Sequence, residues 1–205
     1  METNKIVLVG DSGVGKTTLI KSYIENISPR IGGYGNWDEV VGTLYKPGET
    51  LALWGLEEGQ QPHITLAYDT PGGEDWLKMR VDVVYPNVPP DVFLVCFSVD
   101  SQTSYENARK VYVPEIKQHC PEIPFLLVGT KMDLFNQPVN SGEWRVNSSE
   151  VRYQIAPKLG AYQYMECSAY GTIELGNVIM QAMNTAGSSK WERRRNKSCH
   201  RNVFF

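Results

Sequence analysis

Eight residues near the start of the chain, Gly10-Asp-Ser-Gly-Val-Gly-Lys16-Thr17, have types and spacing suited to holding phosphate. They match G-x-x-x-x-G-K-S/T at every fixed position. The glycines let the backbone take positive φ and turn its N–H groups inward as an anion nest. A helix opening at Lys16 adds its dipole at the same point. Ser12, Gly13, Val14, Gly15, Lys16, Thr17 and Thr18 are therefore the candidates for gripping a nucleotide's phosphates. Lys16 would reach the β- and γ-phosphates, a catalytic as well as a binding role, and the Thr17 hydroxyl would bind magnesium. A chance glycine-rich turn would need neither a strand before it nor a helix after it. Here Lys5-Ile-Val-Leu-Val-Gly10 reads as a buried strand and Lys16 to Glu25 as a helix.

Nucleotide kinases, ATPases and GTPases share this loop, so other segments must choose among them. Asp69-Thr-Pro-Gly72-Gly73-Glu74 follows a strand. An aspartate there can hold magnesium through water, and Gly72 can offer its N–H to the γ-phosphate as the second catalytic contact. Thr130-Lys131-Met132-Asp133 follows an apolar strand. A buried carboxylate at Asp133 can accept both N1–H and N2–H of guanine, which adenine does not offer, and leaving it unpaired would penalise ATP. Lys131 can lay its stem along the base. Cys167-Ser168-Ala169-Tyr170 ends the last strand, where a backbone N–H would meet guanine O6. T-K-x-D alone is a weak signal, but four segments in this order and spacing point to GTP and GDP. A nucleotide kinase is disfavoured by Asp133 and by the lack of an arginine-rich lid.

The elements that must position these loops alternate along the chain. Strands are expected at His63 to Asp69, Asp91 to Phe97, Pro124 to Gly129 and Gln163 to Cys167, with helices near 102–119, 148–159 and 172–186. The runs Asp91-Val-Phe-Leu-Val-Cys-Phe97 and Pro124-Phe-Leu-Leu-Val-Gly129 are continuously apolar, which fits central strands covered on both faces. Such alternation predicts an open, mostly parallel α/β sheet. Residues 26–50 begin as a Gly-, Pro- and Asn-rich loop.

Composition narrows the setting. The chain has 205 residues, 41% hydrophobic and 21% charged, which suits one globular domain with a full core. The four cysteines never form C-x-x-C, so reduced thiols and a cytoplasmic location are expected. The net charge of -3 combines +5 in residues 190–205, where six basic residues face only Glu192, with -8 in the remaining 189. An acidic body argues against nucleic-acid binding. The domain is expected over 1–187, followed by a flexible basic tail over 188–205. That tail suits reversible contact with a membrane surface, with Cys199 available for acylation.

The chain resembles the Ras superfamily and, within it, the Rho/Rac family. The resemblance is carried by Thr130-Lys-Met-Asp133, Asp91-Val-Phe-Leu-Val-Cys-Phe-Ser-Val99, Ser104-Tyr-Glu-Asn107, Val113-Pro-Glu-Ile116, His119-Cys-Pro121 and Gly160-Ala-Tyr-Gln-Tyr-Met-Glu-Cys-Ser-Ala169. It implies a small G-protein fold with a six-stranded, mostly parallel sheet and helices on both faces. It also implies a GTP-hydrolysing molecular switch of Rho type that uses magnesium. Segments 30–46 and 69–86 would face effectors, with exchange factors and GTPase-activating proteins as further partners, and the chain would act as a monomer. Matching Val40-Val-Gly-Thr43 to the family's effector loop gives Thr43 a magnesium-binding and catalytic role, although the loop here is longer than the family's.

Four departures from the family are evident. The first is that long loop, with its extra Gly32-Gly-Tyr-Gly-Asn-Trp37. Next, Ser28 takes the place of a guanine-stacking aromatic, leaving Tyr34 or Trp37 as substitutes or none at all. Gly73 takes the place of the water-positioning glutamine, with Pro71 stiffening the same turn, so hydrolysis is expected to be slow. Finally, Asn202 stands where a C-a-a-X ending would have cysteine, so prenylation is not expected. Gly73 keeps a second reading open, a GTP-bound interaction module that scarcely hydrolyses.

Overall fold

The computed structural model describes residues 3–26, 50–55, 63–73, 77–87, 89–135 and 144–201. Its frame is a six-stranded sheet of β1 (Thr3–Val9), β2 (Thr50–Gly55), β3 (His63–Asp69), β4 (Val92–Ser98), β5 (Phe125–Thr130) and β6 (Gln163–Glu166), in the order β2-β3-β1-β4-β5-β6. All neighbours are parallel except β2 and β3, which run antiparallel from Thr50 against Tyr68 to Gly55 against His63. The sequence reading did not pick out β2. Its register is imposed by β3, a pairing that local patterning does not encode.

Helices cover both faces. The first, α1, is Lys16–Asn26. Three others each contain a π-helical turn: α2 (Leu77–Met79, Arg80–Val84, Tyr85–Asn87), α3 (Gln102–Asn107, Ala108–Tyr112, Val113–His119) and α4 (Ser148–Glu150, Val151–Ile155, Ala156–Leu159). The last, α5, is Thr172–Arg201. Side chains alternate across β1, so Ile6 and Leu8 pack with Leu19, Ile20 and Tyr23 of α1 and Val178, Ile179 and Ala182 of α5. Val7 and Val9 face the other way, with Phe93, Val95 and Phe97, toward Tyr85, Tyr112, Ile116 and Val151. Every residue of β4 is buried, the expected condition of a strand sandwiched between two helical layers.

Chain order reverses about β1, whose neighbours are β3 on one side and β4 on the other. Open parallel sheets bind ligands in the crevice beyond the strand C-termini at such a point. The loops following β1, β3, β5 and β6 all emerge there.

The helix expected over 172–186 does not end there. It continues to Arg201, so a boundary at 187 falls inside it. Lys190 Nζ donates to Thr3 O at 2.7 Å, and Arg193 Nη2 pairs with Asp91 Oδ1 at 2.5 Å. Asp91 Oδ2 also accepts from Lys5 N at 3.0 Å, so one carboxylate ties the helix to the N-terminal end of the sheet. Among the described residues no helix is long and apolar enough to cross a membrane.

Candidate functional site

The turn from β1 into α1 is shaped by close approaches that only glycine allows. Gly10 has φ +145°, and a Cβ there would lie 2.2 Å from Cys96 O. The loop thus lies directly on β4. Lys16 is buried, and its ammonium donates to Gly10 O at 2.8 Å and Asp11 O at 2.9 Å. Burial lowers its pKa from the ordinary lysine value, opposed by Asp69 and Asp11 nearby. An anion in the nest would restore the balance by stabilising the charged form.

The loop after β3 closes the other side. Thr17 Oγ1 and Asp69 Oδ2 are hydrogen-bonded, joining the start of α1 to the end of β3. Asp69 Oδ1 is buried with no partner among the described residues. An orphaned carboxylate oxygen beside a threonine hydroxyl suits a hard divalent cation and its water, so Thr17 and Asp69 fit magnesium. Thr43, the third expected ligand, lies outside the described residues, as do Ser28, Tyr34, Trp37 and segment 30–46. Gly72 packs on the phosphate loop so closely that a Cβ would lie 2.3 Å from Ser12 N. Ser12, Gly13, Gly15, Lys16, Thr17, Thr18, Asp69 and Gly72 together line one cleft of about 290 Å³.

The third and fourth segments meet beside it. The Thr130 hydroxyl lies 2.5 Å from Val14 O and 2.9 Å from Phe97 O, stitching the β5 loop to the phosphate loop. Lys131 is the one described non-glycine residue with positive φ, +61°. Strain of this kind gathers at ligand-binding turns. Asp133 Oδ1 accepts from Ser168 Oγ at 2.5 Å, and Tyr170 N donates to the same hydroxyl at 3.1 Å. Met132 N donates to Cys167 O at 3.2 Å. The structure thus brings Asp133, Ser168 and Tyr170 together, with one correction to the sequence expectation. Asp133 is exposed rather than buried, since its turn stands at the rim of the sheet. A base seated against it would have to supply the desolvation that makes the discrimination strong.

Residues 56–197 match the model of the Ras family. The chain belongs to the Ras family. It is therefore a guanine-nucleotide-binding small GTPase, from a family that carries magnesium with the nucleotide, hydrolyses GTP, and works through effectors, exchange factors and activating proteins. The phosphate loop precedes the matched stretch and stands on its own geometry.

One feature beside this cleft was not found from sequence. Arg80 and Glu115, with side chains 0% and 3% exposed, form a two-pronged pair at 2.9 and 2.7 Å. Arg80 also donates to Pro71 O and Gly73 O, and Tyr85 donates to Glu115. Burial works against the Arg80 charge, but Glu115 outweighs it and holds the pKa above the usual value. The only sequence signal was Val113-Pro-Glu115-Ile116, where an acid interrupts a core-facing helical pattern.

Proposed function

We propose that this chain is a Rho-type molecular switch whose GTP-bound state is long-lived. The observation that carries the slow chemistry is Gly73: its N–H and C=O are both engaged by the protein, and it has no side chain with which to hold a water. Lys16, Thr17, Asp69 and Gly72 line a cleft suited to the phosphates and magnesium. Magnesium there would draw charge from the phosphate oxygens. Lys16 would steady the bridging and terminal oxygens, and Gly72 would donate its N–H to the terminal phosphate. Asp133 and Lys131 would recognise guanine, with Ser168 holding the carboxylate in place and the backbone of Ala169 and Tyr170 meeting the base edge. Thr43 would complete the magnesium shell. Segments 30–46 and 69–86 would present the nucleotide state to effectors. The protein would act as a cytoplasmic monomer, with the basic end of α5 touching anionic membranes.

Chromatography of the nucleotide released from freshly purified protein, followed by single-turnover hydrolysis of GTP, tests this. GDP or GTP released, with slow but magnesium-dependent turnover, is the expected result. A second reading also rests on Gly73, a GTP-bound interaction module without useful turnover. GTP recovered intact from the purified protein, with no turnover after long incubation, would select it. Adenine nucleotide in the released material would remove both.

A further inference from the structure

Gly73 N donates to the Tyr112 hydroxyl at 2.9 Å, and that hydroxyl lies 3.0 Å from Asp11 Oδ1. Asn107 Nδ2 holds the other oxygen of Asp11 at 2.9 Å. A phenol has a single proton to give, and an ionised carboxylate can only accept. The direction of the chain is therefore fixed: Gly73 N–H to Tyr112, and Tyr112 O–H to Asp11. Tyr112 is fully buried on α3, with the Arg80 guanidinium 5.0 Å from its ring centre. Burial is the main reason that its pKa is pushed up to about 12, so the proton stays on the hydroxyl.

Arg80 and Tyr112 together orient three successive peptide planes. In a trans peptide the C=O and the following N–H point opposite ways. Pro71 O accepts from Arg80 at 3.2 Å, so the Gly72 N–H points away from Arg80. Gly73 N–H is held by Tyr112, and Gly73 O by Arg80 at 3.0 Å. Gly72 lines the phosphate cleft together with Pro71, and it lies against the Asp11–Ser12 peptide.

We propose that Tyr112 is a positioning residue: through its hydroxyl, α3 ties the phosphate loop to the 72–73 peptide, and this tether, beside the hold of Arg80 on the 71–72 peptide, keeps the Gly72 N–H preset for a terminal phosphate. This inference rests on the chain's being a GTP-binding switch. Preorganisation of this kind favours GTP over GDP, because the turn meets only the third phosphate. A glycine-bearing turn without a side chain to anchor it gains most from such a tether.

Tyr112→Phe keeps the ring, its packing and its contact with Arg80, and removes only the hydroxyl. Affinities of the full chain for fluorescent GDP and for a non-hydrolysable GTP analogue, with magnesium present, give the readout. GDP affinity is expected to stay within twofold of wild type, while the GTP analogue binds roughly fivefold more weakly, the scale of one hydrogen bond. Asp11→Ala should shift the same ratio, and the double variant should lose no more than either single one. A ratio unchanged in Tyr112→Phe, or both affinities lowered equally, would leave Tyr112 a packing residue and overturn the proposal. A ratio moving toward GTP would assign the bond to the GDP state and overturn it equally. A wild type that binds neither nucleotide would instead bring down the functional reading on which this rests.

Discussion

The guanine contact proposed for Asp133 is a hydrogen-bonded carboxylate at the rim of the site. Asp133→Ala is expected to weaken GDP binding by roughly 1.5–3 kcal/mol, the range for a bond to a charged group, or about 10- to 150-fold. Titration with GDP and ADP checks it: ADP affinity should stay low and unchanged while GDP falls. Gly73 is the residue proposed to limit the rate. A glutamine there would carry the amide needed to hold water, so Gly73→Gln should speed single-turnover hydrolysis on the order of 10- to 100-fold. It also has a cost, since Gly73 has φ +103°, which an L side chain rarely adopts. The variant should therefore melt lower even though no described residue lies within 4 Å of the new Cβ. A wild type already hydrolysing at the variant's rate would mean that some other group positions the water. Both residues were readable as types at fixed spacing. The exposure of Asp133 was not, because it depends on where the turn sits relative to β6 and its loop.

Between elements, the buried pair of Arg80 on α2 and Glu115 on α3 sets how α2 and the loop before it sit on the domain. Removing the charge of one partner leaves the other buried and uncompensated, which costs about 3–5 kcal/mol. Glu115→Gln is thus expected to lower stability by roughly 3 kcal/mol in urea unfolding, and to loosen residues 71–73 through Arg80. Loss of stability with unchanged amide exchange at 71–73 would separate the two roles. The apolar period of the sequence places α3 but not its partner. Arg80 and Glu115 are 35 positions apart and meet only because β4 brings α2 and α3 to the same face. β2 escaped notice for a related reason, since it is an edge strand defined by its antiparallel pairing with β3.

Taken as a whole, the molecule joins a nucleotide crevice at one end of the sheet to a cationic helix end at the other. Lys190 and Arg193 are already paired with Asp91, so part of the basic charge of residues 190–205 has an anion within the protein. Each basic residue near an anionic leaflet is worth about 1 kcal/mol. The full chain should therefore bind anionic vesicles better than a chain ending at 189, and Asp91→Asn should bind better still by releasing two cations. Equal binding by the full and shortened chains in sedimentation would remove the membrane role. If Asp91→Asn also raises amide exchange in the last turns of α5 while β1 and β4 stay protected, the aspartate is what carries the helix past residue 187.

Local sequence determined the phosphate loop, the central strands and the order of the four nucleotide segments. Each of these depends on residues close together in the chain: glycine's φ range, an unbroken apolar run, a motif of fixed spacing. Tertiary structure alone decided the length of α5, the Arg80–Glu115 pair and the chain from Gly73 through Tyr112 to Asp11. Those rest on charges and hydroxyls whose partners lie far away in sequence. A basic stretch reads as solvated until Asp91 is seen beneath it, and a core tyrosine reads as packing until its hydroxyl has two partners.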